Sequence, residues 1–576
     1  MRIPVSLSFL VIMTVLVLAP GIPRESCVAA KSAPMTEATH AQVGSISGAT
    51  ETKVPIITWG GDVATILANG NSRTTSKNSV FGTSGLKFEL VRMDDFKKQV
   101  EMFIRGETPY LRGTMGMINM AAEVLSRDPR TTPIVIYQMT WSAGGDCLVV
   151  KGGIKTVKDL KGKTIAVQAY GPHVDYLGTL LKGAGLSAKD VTIRWTDDLT
   201  GTDKTPATAF QKENVDAAFV IIPDGLMLTS GGTVGTGAEG SIKGARILLS
   251  TKTANRIIAD VYAVRSDYFD AHRDKVQAFV HGLFLAEQQT KELFANKDQR
   301  KSEFKDTVTA SAQILFDSPQ AIPDAEALYA DCEYVGFPGN VKFFGDPDWP
   351  RSFARLTEEI QSTLVSIGLM AKKTPLQHAV WDYNVFRPGL KGIEAVQAPK
   401  FKPEDVAKVV ERRRAMGALE EGELFSFEIY FSPNQNTFAA ETYADDFEKV
   451  VQLASTFGGA IIIVEGHSDP SGYLGRKKKG ATEVELKRIE QAAKNLSLTR
   501  SISVRDSAMD WAKTKHVSLD PSQFTVVGHG IRQPKSGMCG NEPCAPKTKE
   551  EWLSNMRVTF RIIQVEAETS VFTPLE

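Results

Sequence analysis

The sequence predicts an α/β protein of two lobes followed by a smaller α+β domain. Three observations lead there. Short apolar runs alternate with amphipathic stretches from Val54 onward, the mark of βαβ units. The alternation comes in two successive blocks before about Leu390. A charged break at 399–423 then precedes a new strand-like run, Leu424 to Phe431.

In chain order, Val54 to Trp59 reads as a buried strand, and Gly60-Gly61-Asp62 turns it into a helix ending near Ala68. Leu86 to Val91 is a strand, Asp94 to Ile104 an amphipathic helix, Met117 to Leu125 another helix, and Ile134 to Gln138 a third strand. The second lobe, about 152–245, starts with a short helix, Lys155 to Leu160. Strands Thr164 to Gln168, Val191 to Trp195 and Ala217 to Ile222 follow, and Pro172 opens a helix where proline is tolerated. Ala245 to Ser250 and Val261 to Arg265 lead back. Asp270 to Asn296 reads as one long helix, and Phe353 to Ile367 as the clearest of those after it. The whole two-lobed unit spans 51–398, with a linker helix at 399–423 carrying Arg412-Arg413-Arg414, expected as a solvated face. The last unit, 424–568, holds helix Ala440 to Thr456, strand Ile461 to Glu465, helix Ala492 to Lys513, and strands Phe524 to Val527 and Arg557 to Val565. Arg476 to Lys479 is expected in a solvated loop.

The chain of 576 residues has room for about three to four domains. Lys+Arg 67 balance Asp+Glu 67, which argues against a nucleic-acid binder. The only long apolar run, Val5 to Leu18, suits a secretory signal, with cleavage after Val28-Ala29-Ala30; an uncleaved anchor is the alternative. Residues 31–50 are small, polar and aperiodic, and read as a flexible leader. Export permits disulfides. Cys539-Gly-Asn-Glu-Pro-Cys544 closes easily, while nothing shows whether Cys147 and Cys332 meet.

Three segments carry a resemblance for the first unit: Gly152 to Gln168 (GGIKTVKDLKGKTIAVQ), Val215 to Phe219, and Val261 to Phe284. They resemble the nitrate/sulfonate/taurine branch of periplasmic solute-binding proteins. The resemblance implies a two-lobed, type II-like periplasmic-binding-protein fold with a small-molecule solute between the lobes and an ABC permease as partner. Ligands in such sheets sit at the carboxyl ends of strands, where helix N-termini gather. Candidate ligand-binding residues are Trp59, Gly60, Gly61 and Asp62 in one loop, Trp141 and Asp146 in another, and Tyr170 and His173 from the opposite lobe. Arg112, with Thr114 two residues on, matches the fork of a carboxylate or sulfonate. Asp62 and Asp146 favour an ammonium-bearing solute if both face the cleft, or act as helix N-caps if they do not.

Four motifs mark the last unit: Ile461 to Gly472 (IIIVEGHSDPSG), Asn495 to Ser501, Val527 to Gly530, and Asn555 to Val558. They resemble the C-terminal domain of the outer-membrane protein A family, which binds peptidoglycan non-covalently on a βαβαβ-type layer. The resemblance assigns Asp469 to the ammonium and Arg500 to the carboxylate of a diaminopimelate stem peptide, with Asn555 and Arg557 lining or supporting the pocket. The sequence departs from the pattern in an extra segment after Tyr473, at Ala493 and at Met556. No nucleotide loop, metal-ligand set or nucleophile–base pair is apparent. The expectation is an exported, wall-tethered solute-binding protein of the periplasm or cell envelope, without catalysis or cofactor. A wall-tethered sensor or envelope organiser is the alternative.

Overall fold

The computed structural model describes residues 32–564, except 233, 239, 394–400, 416, 418, 420–421 and 541. The expected signal segment and its cleavage point lie outside the described residues. The leader is not free: Met35 is buried in the first lobe, and Gly44 and Ser47 donate backbone hydrogen bonds to Ile104 and Gly106. One buried methionine and a few backbone bonds are enough to dock a segment that has no periodicity to announce itself.

The first lobe begins with a parallel pair, β1 (Thr52–Ile56) and β2 (Phe88–Arg92). It continues with β3 (Tyr110–Thr114) and β4 (Pro133–Ser142). The second lobe contains β5 (Asp146–Val150), β6 (Thr164–Gln168), β7 (Thr192–Thr196), β8 (Ala217–Ile221) and β9 (Arg246–Ser250). The chain returns through β10 (Ala259–Arg265), β11 (Cys332–Tyr334) and β12 (Gln377–His378). One sheet has the order β11-β4-β10-β3 with β12 beside β4, and the other β7-β6-β8-β5-β9. β4 is buried along all ten residues, as a strand covered on both faces must be. The backbone passes between the sheets at 143–145 and again at 251–258. The second lobe is therefore wider than 152–245, because β5 and β9 pair with each other inside its sheet. Gly144-Gly145 signals a turn in the sequence, yet a strand resumes at once.

Side chains set the helix ends. Asp95 accepts from the Lys98 amide at the start of Phe96–Arg105, and Gly106 ends that helix at φ 75. Thr114 caps Met115–Leu125 by accepting from the Met117 amide. The expected helix Asp270 to Asn296 is broken at His272, so the long helix is Arg273–Ala295. Helix Phe353–Ser366 lies across both lobes. Its Gln361 donates to Asn119 Oδ1 on Met115–Leu125 at 2.8 Å. Its Glu359 accepts from Thr179 and Lys182 on the second-lobe helix His173–Gly183, at 3.1 and 3.2 Å.

The last unit comprises β13 (Glu423–Tyr430), β14 (Ile461–Gly466), β15 (Phe524–Gly528), the small hairpin β16 (Met538–Cys539) with β17 (Glu542–Pro543), and β18 (Arg557–Ile563). Its sheet order is β13-β18-β14-β15. Helices Ala444–Thr456 and Glu483–Thr514 pack on one face, and Val406, Val409 and Val410 of Pro403–Ala415 cover Ile461, Ile463 and Ile563 on the other. Arg476 to Lys478 lie in a helix, Ser471–Lys478, and not in a loop. The helix expected from Ala492 starts at Glu483, where Thr482 and Glu485 form a capping box. Those added turns are largely exposed, so no apolar period marked them. Arg414 is not a solvated face either, since its guanidinium meets Glu465 Oε1 at 2.7 Å. Cys539 and Cys544 are bonded, whereas Cys147 and Cys332 are in no disulfide. This unit rests on the second crossover: Gly459 donates to the Thr253 carbonyl at 3.1 Å and Arg256 to the Thr456 carbonyl at 3.2 Å.

Candidate functional site

Several of the predicted cleft residues, among them Trp59, Asp146 and His173, lie where the crossovers pass between the lobes. Arg112, on β3, is fully buried and its fork is already taken. It donates to Asp62 at 3.0 Å through Nη2 and to Asp260 at 2.8 Å through Nη1. Thr140 donates to Asp260 at 3.0 Å and accepts from the Trp59 indole at 2.9 Å. Burial pushes Asp62 up to about 6 despite Arg112 beside it. Burial alone would lower Arg112, but the fields of Asp62 and Asp260 outweigh it and raise it. The residue expected to meet a ligand anion is thus the cation of an internal carboxylate pair. Asp62 is the first residue of helix Asp62–Ala68, and Gly61 holds the cap position.

The two tryptophan loops meet: a β-carbon on Gly145 would lie 2.6 Å from the Trp59 ring. Gly60 and Gly61 carbonyls accept from the Tyr334 hydroxyl at 2.8 and 3.3 Å, so this turn is tied to β11. Trp141 does not wall a cleft. It is buried against Phe343 and Trp349, with Arg256 over its ring, because its strand runs on into the core. Tyr170 stands at the lobe edge, and its hydroxyl donates to the Ala33 carbonyl at 2.6 Å.

Asp146 is no N-cap, since it opens β5. Its Oδ1 lies 2.7 Å from His173 Nε2, and its Oδ2 accepts from Ser142 at 2.6 Å. Thr251, from the other crossover, accepts from the Gly144 and Asp146 amides, both at 3.1 Å. One hydroxyl therefore ties the two crossovers together.

Three further carboxylates were missed in the sequence. Asp260 opens the apolar strand β10 and Asp331 precedes Cys332. Asp175 is the lone acid in the apolar run Val174 to Leu181. That isolation was the available signal. Burial pushes Asp175 up to about 8 and Asp331 to about 7, and the Asp146 charge adds to both. Burial also raises Asp260. The centre is thus rich in buried acids, with Arg351 near Asp175 and Lys252 near Asp331 as neighbouring cations. It contains no aligned nucleophile and base: the one histidine, His173, is held by a carboxylate, and no serine, threonine or cysteine hydrogen-bonds to it among the described residues.

A second cluster lies at the end of β14. Asp469 accepts from Asn555 Nδ2 at 3.0 Å and from the Ser471 amide at 2.8 Å. Arg500 is fully buried and donates to the carbonyls of Gln435, Ser432 and His467 at 2.7, 3.1 and 3.5 Å. Burial lowers it to about 10, and no carboxylate faces it among the described residues. Arg557 points elsewhere, donating to Glu428 at 3.1 Å on the outer face of the sheet. A polar pocket of about 600 Å³ on that face is lined by Glu423, Glu428, Tyr430 and Arg561, and by none of Asp469, Arg500 or Asn555.

Residues 81–292 match the family model described as NMT1/THI5 like. No curated protein matches the chain. Among solved structures, the periplasmic aliphatic sulphonate binding protein SsuA from Escherichia coli is 17% identical, with TM-score 0.39, over 57% of this chain and 90% of its own. The alkanesulfonate-binding protein SsuA from Xanthomonas axonopodis pv. citri, bound to MOPS, is 16% identical, with TM-score 0.38, over 58% and 100%. The peptidoglycan-associated lipoprotein from Burkholderia pseudomallei is 15% identical, with TM-score 0.17, over 23% of this chain and 88% of its own.

Proposed function

We propose that this chain is an exported solute-binding protein that captures a small molecule between two lobes and is tethered to peptidoglycan by its last unit. The observation that carries the reading is the pair of crossovers at 143–145 and 251–258, which meet at a buried polar centre contributed by both lobes. Two backbone crossovers between separate sheets form a hinge, and a hinge around a polar centre suits opening for a solute and closing over it. The NMT1/THI5-like match over residues 81–292 spans the first crossover and the return strand, and it supports the same reading. On this reading the solute is handed from the periplasm to an ABC-type permease of the membrane.

For the last unit, Arg500 is a buried guanidinium that no carboxylate neutralises among the described residues, held two residues from Asp469 through the His467 carbonyl. A stem peptide bearing carboxylates and an ammonium would satisfy both, with Asn555 orienting Asp469. Arg557 is left out of this pocket. The test is co-sedimentation of the full chain with diaminopimelate-type peptidoglycan at low salt. Asp469→Ala and Arg500→Ala are each expected to cut binding by about 2–5 kcal/mol, roughly thirtyfold or more, with the double variant little worse. Folded variants that sediment like wild type would reject the tether. Isothermal titration of solutes against the same protein tests the lobes separately.

A further inference from the structure

We infer that the solute carries a positive charge, an ammonium or similar cation, held by Asp175 with Asp146 and Asp331; this rests on the solute-binding reading above. Asp175 lies in the first turn of helix His173–Gly183, in the second lobe. A carboxylate there often serves only to complement its own helix. Asp175 does more, because its carboxyl group reaches across to the first lobe. A β-carbon on Gly116 would sit 2.7 Å from the Asp175 carboxyl carbon, so the acid lies directly over the first turn of helix Met115–Leu125. Only glycine leaves room for that approach.

Asp175 lies against that first turn without taking a hydrogen bond from it. Asp175 is 2% exposed, and neither oxygen closes a hydrogen bond with any described residue. The amides of Asp175 and Tyr176 and the field of Arg351 favour its charge without satisfying it. Arg351 is engaged by Glu359 through Nη1 and by the Arg256 carbonyl through Nε, while its Nη2 is buried without a partner among the described residues. Asp146 adds a second negative group, and Asp331 a third that feels Asp146, with the charge of Lys252 partly offsetting it. His173 Nδ1 is likewise buried without a partner among the described residues. Arg112 offers no help, being consumed by Asp62 and Asp260. Burial holds Asp175 at about 8 and Asp331 at about 7, so both lean towards the neutral acid at pH 7, and a bound cation would draw them to the carboxylate form. A cation would supply the donors that Asp175 lacks.

The full chain, exported and purified, is to be denatured and its released small molecules sorted on a cation exchanger at neutral pH. In parallel, wild type, Asp175→Asn and Asp331→Asn are titrated with diamines and ω-amino acids, and with the same carbon chains ending in hydroxyl or sulfonate. The expected result is a retained, basic released molecule and binding by amine-bearing probes alone, weakened at least tenfold in Asp175→Asn. A wild-type urea midpoint in that variant shows that it folds. Release of an amine-free anion, or amine binding within twofold of wild type in both variants, overturns the cation assignment and leaves solute binding standing. A protein that releases nothing and binds no probe overturns both.

Discussion

Replacing Arg112 by methionine isolates the energetics of the buried charge cluster in the first lobe. The side chain is similar in length, so the space stays largely filled, but Asp62 and Asp260 lose their common cation. Both carboxylates are fully buried or nearly so, with little water to take over. Removing one partner of a buried ion pair costs about 3–5 kcal/mol, because the uncompensated charge remains. With a urea dependence of about 3 kcal/mol per molar, the midpoint should fall by roughly 1–1.5 M. The loss should depend on pH. Burial already holds Asp62 at about 6, and without Arg112 it and Asp260 rise further. A carboxylate raised in the folded state contributes stability that is fully present below its unfolded value, near 4, and is lost as pH rises through the folded value. The variant's deficit should therefore be smallest near pH 4 and grow towards pH 8. The triple variant Asp62→Asn, Arg112→Met, Asp260→Asn removes the charges together and should recover most of it. Urea melts by tryptophan fluorescence at several pH values give the comparison. An unchanged midpoint for Arg112→Met, or a deficit that does not vary with pH, would refute the reasoning.

Two other perturbations follow from geometry described above. Thr251→Val keeps the shape but leaves the Gly144 and Asp146 amides buried without an acceptor; a loss of about 1–3 kcal/mol per amide is expected, read as a lower thermal midpoint of the lobes. Glu465 is held at about 2 against its burial, by His529 and by Arg414 of the linker helix. Its contribution is present above the unfolded value near 4.5 and lost as pH falls through about 2. Glu465→Gln should cost about 3 kcal/mol at pH 7 and little at pH 2, measured by melting of the last unit.

Much of the architecture was legible because strands covered on both faces are plain apolar runs. β4, β6 and β8 needed only composition and length to be found. The last unit's strands were also plain, but the start of its long helix was not, since turns that face water carry no period. The site was legible in part. The glycine turns after two strands were legible, and the structure brings Trp59 against Gly145 of the first crossover, because tight turns need glycine. The role of Arg112 was not, because a sequence shows a guanidinium without showing what already occupies it. Asp175, Asp260 and Asp331 went unseen for the converse reason: single acids in apolar segments come together only when distant strands and helices fold. Trp141 misled because its strand continues past the point where Gly144-Gly145 suggests a loop.

The last unit is seated on the crossover itself, through Thr253 and Arg256. That segment must twist if the lobes open, so its bonds to Gly459 and Thr456 either bend with it or break. The lobes and the last unit then share one set of conformational states. By thermodynamic reciprocity, any occupant of the last unit that favours one lobe angle changes solute affinity by some factor, and the solute changes that occupant's affinity by the same factor. On the proposed function, attachment and capture become two readings of a single equilibrium, and substitution at 253–256 is expected to move both.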